Sequence, residues 1–199
     1  MNKQLIVSIG REYGSGGHKI AKLLAEKLDI PLYNRNILEE VAGIKNVNTN
    51  SLAKYDEAPR KRFFSRTVRG YTNSPEENVA ELQFNLLKSK FADEDSFVIV
   101  GRCADELFYG YKYLVTVFIT GDEEDKIKRI MESRGFNEKQ ARKTMERHDK
   151  MRKAYHDYFC KHGKWGETDT YDLCLNASRL SIEDCTDIIY NYIQKRLEA

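Results

Sequence analysis

The chain has 199 residues, enough for one α/β domain with a substantial core. Lys plus Arg number 33 and Asp plus Glu 31, a net charge of +2. That balance argues against the broad basic face of a general nucleic-acid binder, so any anion site is local and built from a few placed cations. No stretch approaches the roughly 20 apolar residues of a membrane helix, and the N-terminus runs into a strand rather than an apolar signal core.

Gln4–Ile9 is a short apolar run that predicts a buried strand ending at Gly10. The glycine-rich segment Gly10–Gly17 follows. Next comes a stretch with apolar residues at Ile20, Leu23, Leu24 and Leu28, the spacing of an amphipathic helix. Ile30–Tyr33 predicts a short second strand, and Arg35–Ala42 a helix. The segment from Gly43 to about Pro75 is polar and irregular, with basic residues at Arg60, Lys61, Arg62, Arg66 and Arg69. A helix is expected from Pro75 to Phe91, with the proline at its first turn. Ser96–Gly101 and Leu114–Thr120 are continuous apolar runs of the kind that a parallel sheet covers on both faces. Asp122–Arg134 reads as a helix and Asn137 to about His162 as a long basic one, with Asn137 and Gln140 spaced as a capping box. Tyr171–Leu175 is the last strand, and a helix starts at Ser181. Alternating strands and helices predict an α/β fold of three layers, a parallel sheet of about five strands with helices on both faces. Cys103, Cys160, Cys174 and Cys185 form neither a CxxC pair nor a disulfide framework. They read as reduced, buried thiols of a cytoplasmic protein.

Gly14, Ser15, Gly16 and Gly17 lie between strand and helix, where glycines bring backbone N–H groups close to an anion and the helix N-terminus adds its dipole. The segment reads as a phosphate cradle; a plain glycine-rich turn is the alternative. It departs from GxxxxGK[ST]: with Gly16 as the last loop glycine, Gly17 holds the lysine position and His18 the Ser/Thr position. Arg11, His18 and Lys19 are the candidates to supply charge, Arg11 first because its fork suits phosphate oxygens. Arg102 follows a glycine at the C-terminal end of a strand, where open α/β sheets bind ligands. The run Arg147-His148-Asp149-Lys150-Met151-Arg152 concentrates charge on the long helix, and Arg134 precedes Gly135, a hinge candidate for a closing lid.

Three segments in order, GREYGSGG, VIVGRCADELF and WGETDTYDLCLNASRLSIED, resemble the cytidylate-kinase-like family of P-loop kinases over nearly the whole chain. The resemblance implies a single P-loop NTP-hydrolase-type domain over 1–199, with an acceptor-binding insert at about 43–91 and a helical lid at about 129–165. It implies transfer of the ATP γ-phosphoryl group, with Mg2+, to a nucleoside monophosphate, CMP or dCMP first. Gly14, Ser15, Gly16, Gly17, His18 and Lys19 then face the ATP phosphates, and Arg102, Asp105 and Asp149 the acceptor. Arg11, Arg147, Arg152 and Arg134 steady the moving charge. Asp105 has two further readings, as a metal neighbour or as a helix cap. Tyr155, Tyr158 and Trp165 are either base-stacking residues or packing anchors. Val100 and Asn176 stand where cytidylate kinases carry acidic residues, so the magnesium ligands are unassigned. Two rivals follow from these departures: a kinase of another small acceptor, and a nucleotide-binding regulator without turnover. The expected partners are small molecules, with neither nucleic acid nor membrane.

Overall fold

The apolar runs become one five-stranded parallel sheet in the computed structural model, which describes residues 3–45, 48–58, 67–68 and 71–198. In chain order the first elements are β1 (Ile6–Arg11), α1 (Gly17–Leu28), β2 (Leu32–Tyr33), α2 (Ile37–Lys45) and α3 (Thr49–Ala53). A two-stranded antiparallel pair follows, β3 (Thr67–Val68) with β4 (Tyr71–Thr72), then α4 (Pro75–Ala92) and β5 (Phe97–Val100). The second half runs α5 (Ala104–Leu107), β6 (Leu114–Thr120), α6 (Glu123–Arg134), α7 (Glu138–Phe159), β7 (Leu173–Asn176) and α8 (Ile182–Glu198).

The strand order is β2-β5-β1-β6-β7. Ile6 sits opposite Phe97 on one side and Leu114 on the other. From β1 the chain passes to the edge strand β2, returns to β5 beside β1, and then crosses to β6 and β7 on the other side, so the C-terminal end of β1 is the switch point where such sheets open a crevice. Period-two alternation divides the core between the faces. Val7, Ile9, Val98, Val117 and Ile119 pack with Ile20 and Leu24 of α1 and Ile189 and Ile193 of α8. Ile6, Phe97 and Ile99 pack on the other face with Ile37 of α2 and Leu87 of α4. Each fully buried aliphatic or phenyl side chain contributes about 1.5–3 kcal/mol over its exposed state, which fixes the register of β1 and leaves its end rigid.

The Asn137–Gln140 capping box forms in both directions, at 2.9 and 3.0 Å. Ser74 caps α4 with Pro75 at its start. Two expectations change. The long helix stops at Phe159 rather than His162, because Cys160 turns to extended backbone (φ −92°, ψ 134°). The segment from Gly43 to Pro75, expected to be irregular, carries α3 and the β3–β4 pair; these elements are too short for periodicity to reveal. Its basic residues Arg60, Lys61, Arg62, Arg66 and Arg69 lie outside the described residues. Among the described residues no helix is long and apolar enough to cross a membrane.

Candidate active site

The loop leaving β1 turns back on itself at Gly14 and Gly16, both left-handed (φ 84° and 90°), a conformation that glycine adopts without a side-chain clash. Its outer carbonyls are held by Arg129 of α6, whose guanidinium donates to Ser15 O at 3.1 Å and to Ala177 O at 2.6 Å. The buried Ser15 hydroxyl donates to Glu12 O at 2.9 Å. The first turn of α1 has neither a capping side chain nor an acidic residue. The Lys19 N–H donates to Gly16 O at 2.9 Å and the Gly17 N–H to Ser15 Oγ at 3.4 Å, so among the described residues the His18 N–H and the helix dipole are what this turn offers an anion. His18 and Lys19 are exposed on that turn. His18 is held below its usual pKa by burial and by the charge of Arg11.

Gly17, which occupies the missing lysine's place, is closed in by its neighbours. A Cβ there would lie 2.7 Å from Arg11 Cβ and 3.3 Å from Ile119 Cβ. The stem of Arg11 has taken the space in which a lysine would start, so one substitution does not restore the usual motif. Gly17→Ala is expected to cost roughly 1–3 kcal/mol by overpacking, read as a lower urea midpoint at unchanged slope. An unchanged midpoint would mean that the Arg11 stem yields freely.

Three of the expected site arginines converge on a pair of carboxylates from the segment after α3. Arg11 makes a two-pronged pair with Glu57, at 2.8 and 2.9 Å. Arg102 holds Asp56 at 2.7 and 3.0 Å and donates to Val100 O at 2.8 Å. Arg152, reaching in from α7, places Nε 3.7 Å from Glu57 and donates to Arg11 O at 3.3 Å. The cluster is dry: Arg102 is 1% exposed and Asp56 6%. Burial works against the Glu57 charge, but Arg11, Arg102 and Arg152 outweigh it and hold the carboxyl well below the usual carboxylate range. Burial and the repulsion of Arg11 bring Arg152 down to about 10.

The turn carrying Arg102 is strained. Gly101, Arg102 and Cys103 are all left-handed, at φ 75°, 58° and 51°. A Cβ at Gly101 would collide with the Glu57 carboxylate and the Arg11 guanidinium, so this glycine lets the Arg11–Glu57 pair cross the end of β5. Left-handed residues other than glycine cost of order 1–3 kcal/mol each and persist where surroundings over-determine them; here the Asp56 and Val100 bonds do so. Arg102 Nε is buried without a hydrogen-bond partner among the described residues. Ser8, Arg11, Glu57, Arg102, Asp105 and Arg152 border one cavity of about 20 Å³, room for a single water. The acidic pair thus fills the place toward which three arginines point.

The lid candidates divide. Asp149 accepts the Tyr13 N–H at 2.7 Å, tying α7 to the glycine loop rather than to the end of β5. Its carboxyl is pushed up to about 6, because burial outweighs the Tyr13 bond and an Arg152 contact of 3.9 Å. His148 stacks on Tyr13 with centroids 4.4 Å apart, and Arg134, Arg147 and Arg152 all depress its pKa after burial does. Arg134 and Arg147 are exposed and lie outside the buried cluster. Asp105 does not cap α5: it contacts His156 Nε2 at 2.6 Å. Trp165 packs edge-on against Phe118, Tyr155 is buried against Phe159, and Tyr158 donates to Glu77. Tyr155 and Trp165 pack in this way while lining the small cavity, and Tyr158 is exposed.

Sequence reasoning missed Asp56, Glu57, Tyr13 and His148. Two adjacent acids in a polar stretch look like solvated surface. Lys54, Arg60 and Lys61 lie three or four residues from the pair, so the local pattern reads as ordinary surface ion pairing and carries no signal of burial.

The described side chains around the loop do not form a magnesium site. Glu12 is taken by Thr120, Gly121 N and Lys126, Ser15 by the Glu12 carbonyl, and Asp149 by Tyr13.

A parallel sheet with this strand order, a glycine loop opening on an uncapped helix and a cationic helix over it define the kinase branch of the P-loop proteins. The sequence profile of the cytidylate kinase-like family matches residues 6–179, and the chain belongs to that family. A crystal structure of an uncharacterised protein from Eubacterium ventriosum ATCC 27560 is 38% identical with a TM-score of 0.76, over 96% of this chain and 99% of that one. Shikimate kinase from Bacteroides thetaiotaomicron shares the fold at 14% identity and TM-score 0.57, over 96% and 98% of the two chains. A gluconokinase from Sinorhizobium meliloti 1021 does so at 11% and 0.55, over 100% and 96%. No curated protein matches the sequence significantly. The protein is accordingly a phosphotransferase of the kinase class, acting on a nucleotide or another small molecule.

Proposed function

We propose that the protein transfers the γ-phosphoryl group of Mg-ATP to a nucleoside monophosphate, with CMP and dCMP the first acceptors to test. The observation that carries this reading is the convergence of Arg11, Arg102 and Arg152 beside the glycine loop at the end of β1 and β5. Phosphoryl transfer asks for positioning and positive charge around the moving group more than for covalent chemistry. Gly14–Lys19 cradle the donor phosphates through backbone amides. Arg11 and Arg152 lie between that cradle and Arg102, where the transferring charge passes. Arg102 meets the acceptor phosphate, with Asp105 further along the same turn. Arg134, Arg147 and Asp149 belong to a lid at about 129–165, and the insert at about 43–91 closes the acceptor side. The metal enters with ATP, held by phosphate oxygens and water, and no step is assigned to it through a protein ligand. The reaction is cytoplasmic in this reading.

A small hydroxylated acceptor is the second reading, favoured by the carboxylates of Glu57 and Asp105 in the cavity, which suit hydroxyl donors. The deciding measurement is ADP release from Mg-ATP across nucleoside monophosphates and small hydroxylated acids and sugars. Release dependent on CMP or dCMP is the expected result. Release dependent on a hydroxylated acceptor alone replaces the acceptor. Thermal stabilisation by ATP with no ADP formed under any acceptor overturns catalysis and leaves a nucleotide-binding protein.

A further inference from the structure

Asp105, His156 and Cys160 meet behind the arginine cluster, where the end of α7 packs on the first turn of α5. One ligand atom from each lies within 4.8 Å of the other two, and His156 and Cys160 are buried. We propose that these three side chains form a binding site for a borderline-soft divalent cation, zinc first, that pins the C-terminal turn of α7 to the turn carrying Arg102.

The donor set fits. A carboxylate oxygen, an imidazole nitrogen and a thiolate are the ligands zinc takes in tetrahedral sites, at bonds of about 2.0–2.3 Å. Such bonds set ligand atoms roughly 3.3–3.8 Å apart. The Asp105 Oδ2–His156 Nε2 contact of 2.6 Å therefore opens by about 1 Å as the cation replaces the proton between them. His156 and Cys160 are four residues apart at the end of α7, so one helical turn presents both to the same point. A zinc-bound imidazole directs its other nitrogen at a carboxylate. His156 Nδ1 is buried without a hydrogen-bond partner among the described residues and lies 3.5 Å from Asp157 Oδ1. Asp157 is itself fixed by the Trp165 N–H at 3.0 Å. Cys103 is buried in the same small cluster as Cys160, and the fourth position is left to water or an added ligand. The mixed N, O and S set disfavours magnesium and calcium, which take oxygen ligands.

The pin joins two elements with different tasks. Cys103 and Asp105 follow Arg102 directly, while α7 carries Asp149 and Arg152. A cation across Asp105, His156 and Cys160 holds both arginines in register without touching the transferring group.

The test is zinc binding to the full chain after chelator treatment, by calorimetry and thermal melting. One zinc per chain is expected, and a melting temperature raised by about 5–10 °C at a hundredfold excess over Kd. Cobalt is the second probe: it should give tetrahedral d–d bands and a thiolate charge-transfer band. His156→Ala and Cys160→Ser should each abolish the shift and the charge-transfer band, whereas Cys174→Ser, at the exposed thiol, should keep both. Circular dichroism of the metal-free variants separates loss of the site from loss of the fold. No saturable binding, or binding and a charge-transfer band retained in both His156→Ala and Cys160→Ser, overturns the proposal.

Discussion

Arg102→Ala destabilises the protein by roughly 3–5 kcal/mol, and adding Asp56→Ala recovers most of that loss while leaving phosphoryl transfer at least about a hundredfold down. The single change strands a carboxylate. Asp56 is 6% exposed, with its two oxygens held by Arg102 at 2.7 and 3.0 Å. The remaining contacts are the Gln83 amide at 3.0 Å and Arg35 Nε at 3.8 Å. Neither replaces the Arg102 Nη2 that reaches both carboxylate oxygens, so the Asp56 carboxylate stays in a buried site with too few donors. Removing both partners removes both desolvation costs, which is why the double variant folds nearly as well as the parent. Backbone strain does not enter the comparison, because alanine and arginine meet the same steric cost at φ 58°. The readouts are urea midpoints for four proteins in a double-mutant cycle and turnover with the acceptor found above. A double variant as unstable as Arg102→Ala would show that Asp56 is not the stranded charge. Parental turnover in either variant would remove Arg102 from the site.

That result also marks where sequence reading reached and where it stopped. The sheet was legible because β1, β5 and β6 must be apolar on both faces, and continuous runs such as Leu114–Thr120 carry that requirement openly. The start of α7 was legible because the Asn137–Gln140 box is a local interaction. The glycine loop was legible for the same reason. The partners of its arginines were not. Arg11 and Glu57 are 46 residues apart, as are Arg102 and Asp56. Nothing in a short window distinguishes a carboxylate that will be buried among arginines from one that stays in water. Left-handed backbone at Arg102 and Cys103 is equally silent, since neither residue prefers it. The loss of the lysine at position 17 was visible, but its steric reason, the Arg11 stem, emerged only in three dimensions.

Glu57→Gln raises the affinity for inorganic phosphate or ATP about 10- to 100-fold, and in the absence of any anion it lowers the melting temperature. Glu57 is the single counterion shared by Arg11 at 2.8 and 2.9 Å, Arg152 at 3.7 Å and Arg102 at 3.8 Å. Its carboxyl is held far below the ordinary range by those same arginines, so at neutral pH it is ionised and offsets part of their charge. An incoming phosphate must displace it. Glutamine keeps the shape and can accept one hydrogen bond but gives up the charge, leaving Arg11 and Arg152 to repel each other while Arg102 stays paired with Asp56; burial and that same repulsion already bring Arg152 down to about 10. A tenfold gain corresponds to about 1.4 kcal/mol and a hundredfold gain to about 2.8, within what one unit charge at this range supplies at a partly screened site. Calorimetry with phosphate at fixed ionic strength gives the affinity, and melts with and without phosphate give the compensating stability. Equal affinity in parent and variant would mean that anions bind elsewhere and that the Arg11–Glu57 pair is purely structural. The variant also separates the two acceptor readings. A carboxylate so strongly acidic is a poor proton acceptor, so its loss should leave the turnover of an anionic acceptor near that of the parent with a lower KM. An acceptor that binds Glu57 through its hydroxyls should instead show a higher KM in Glu57→Gln.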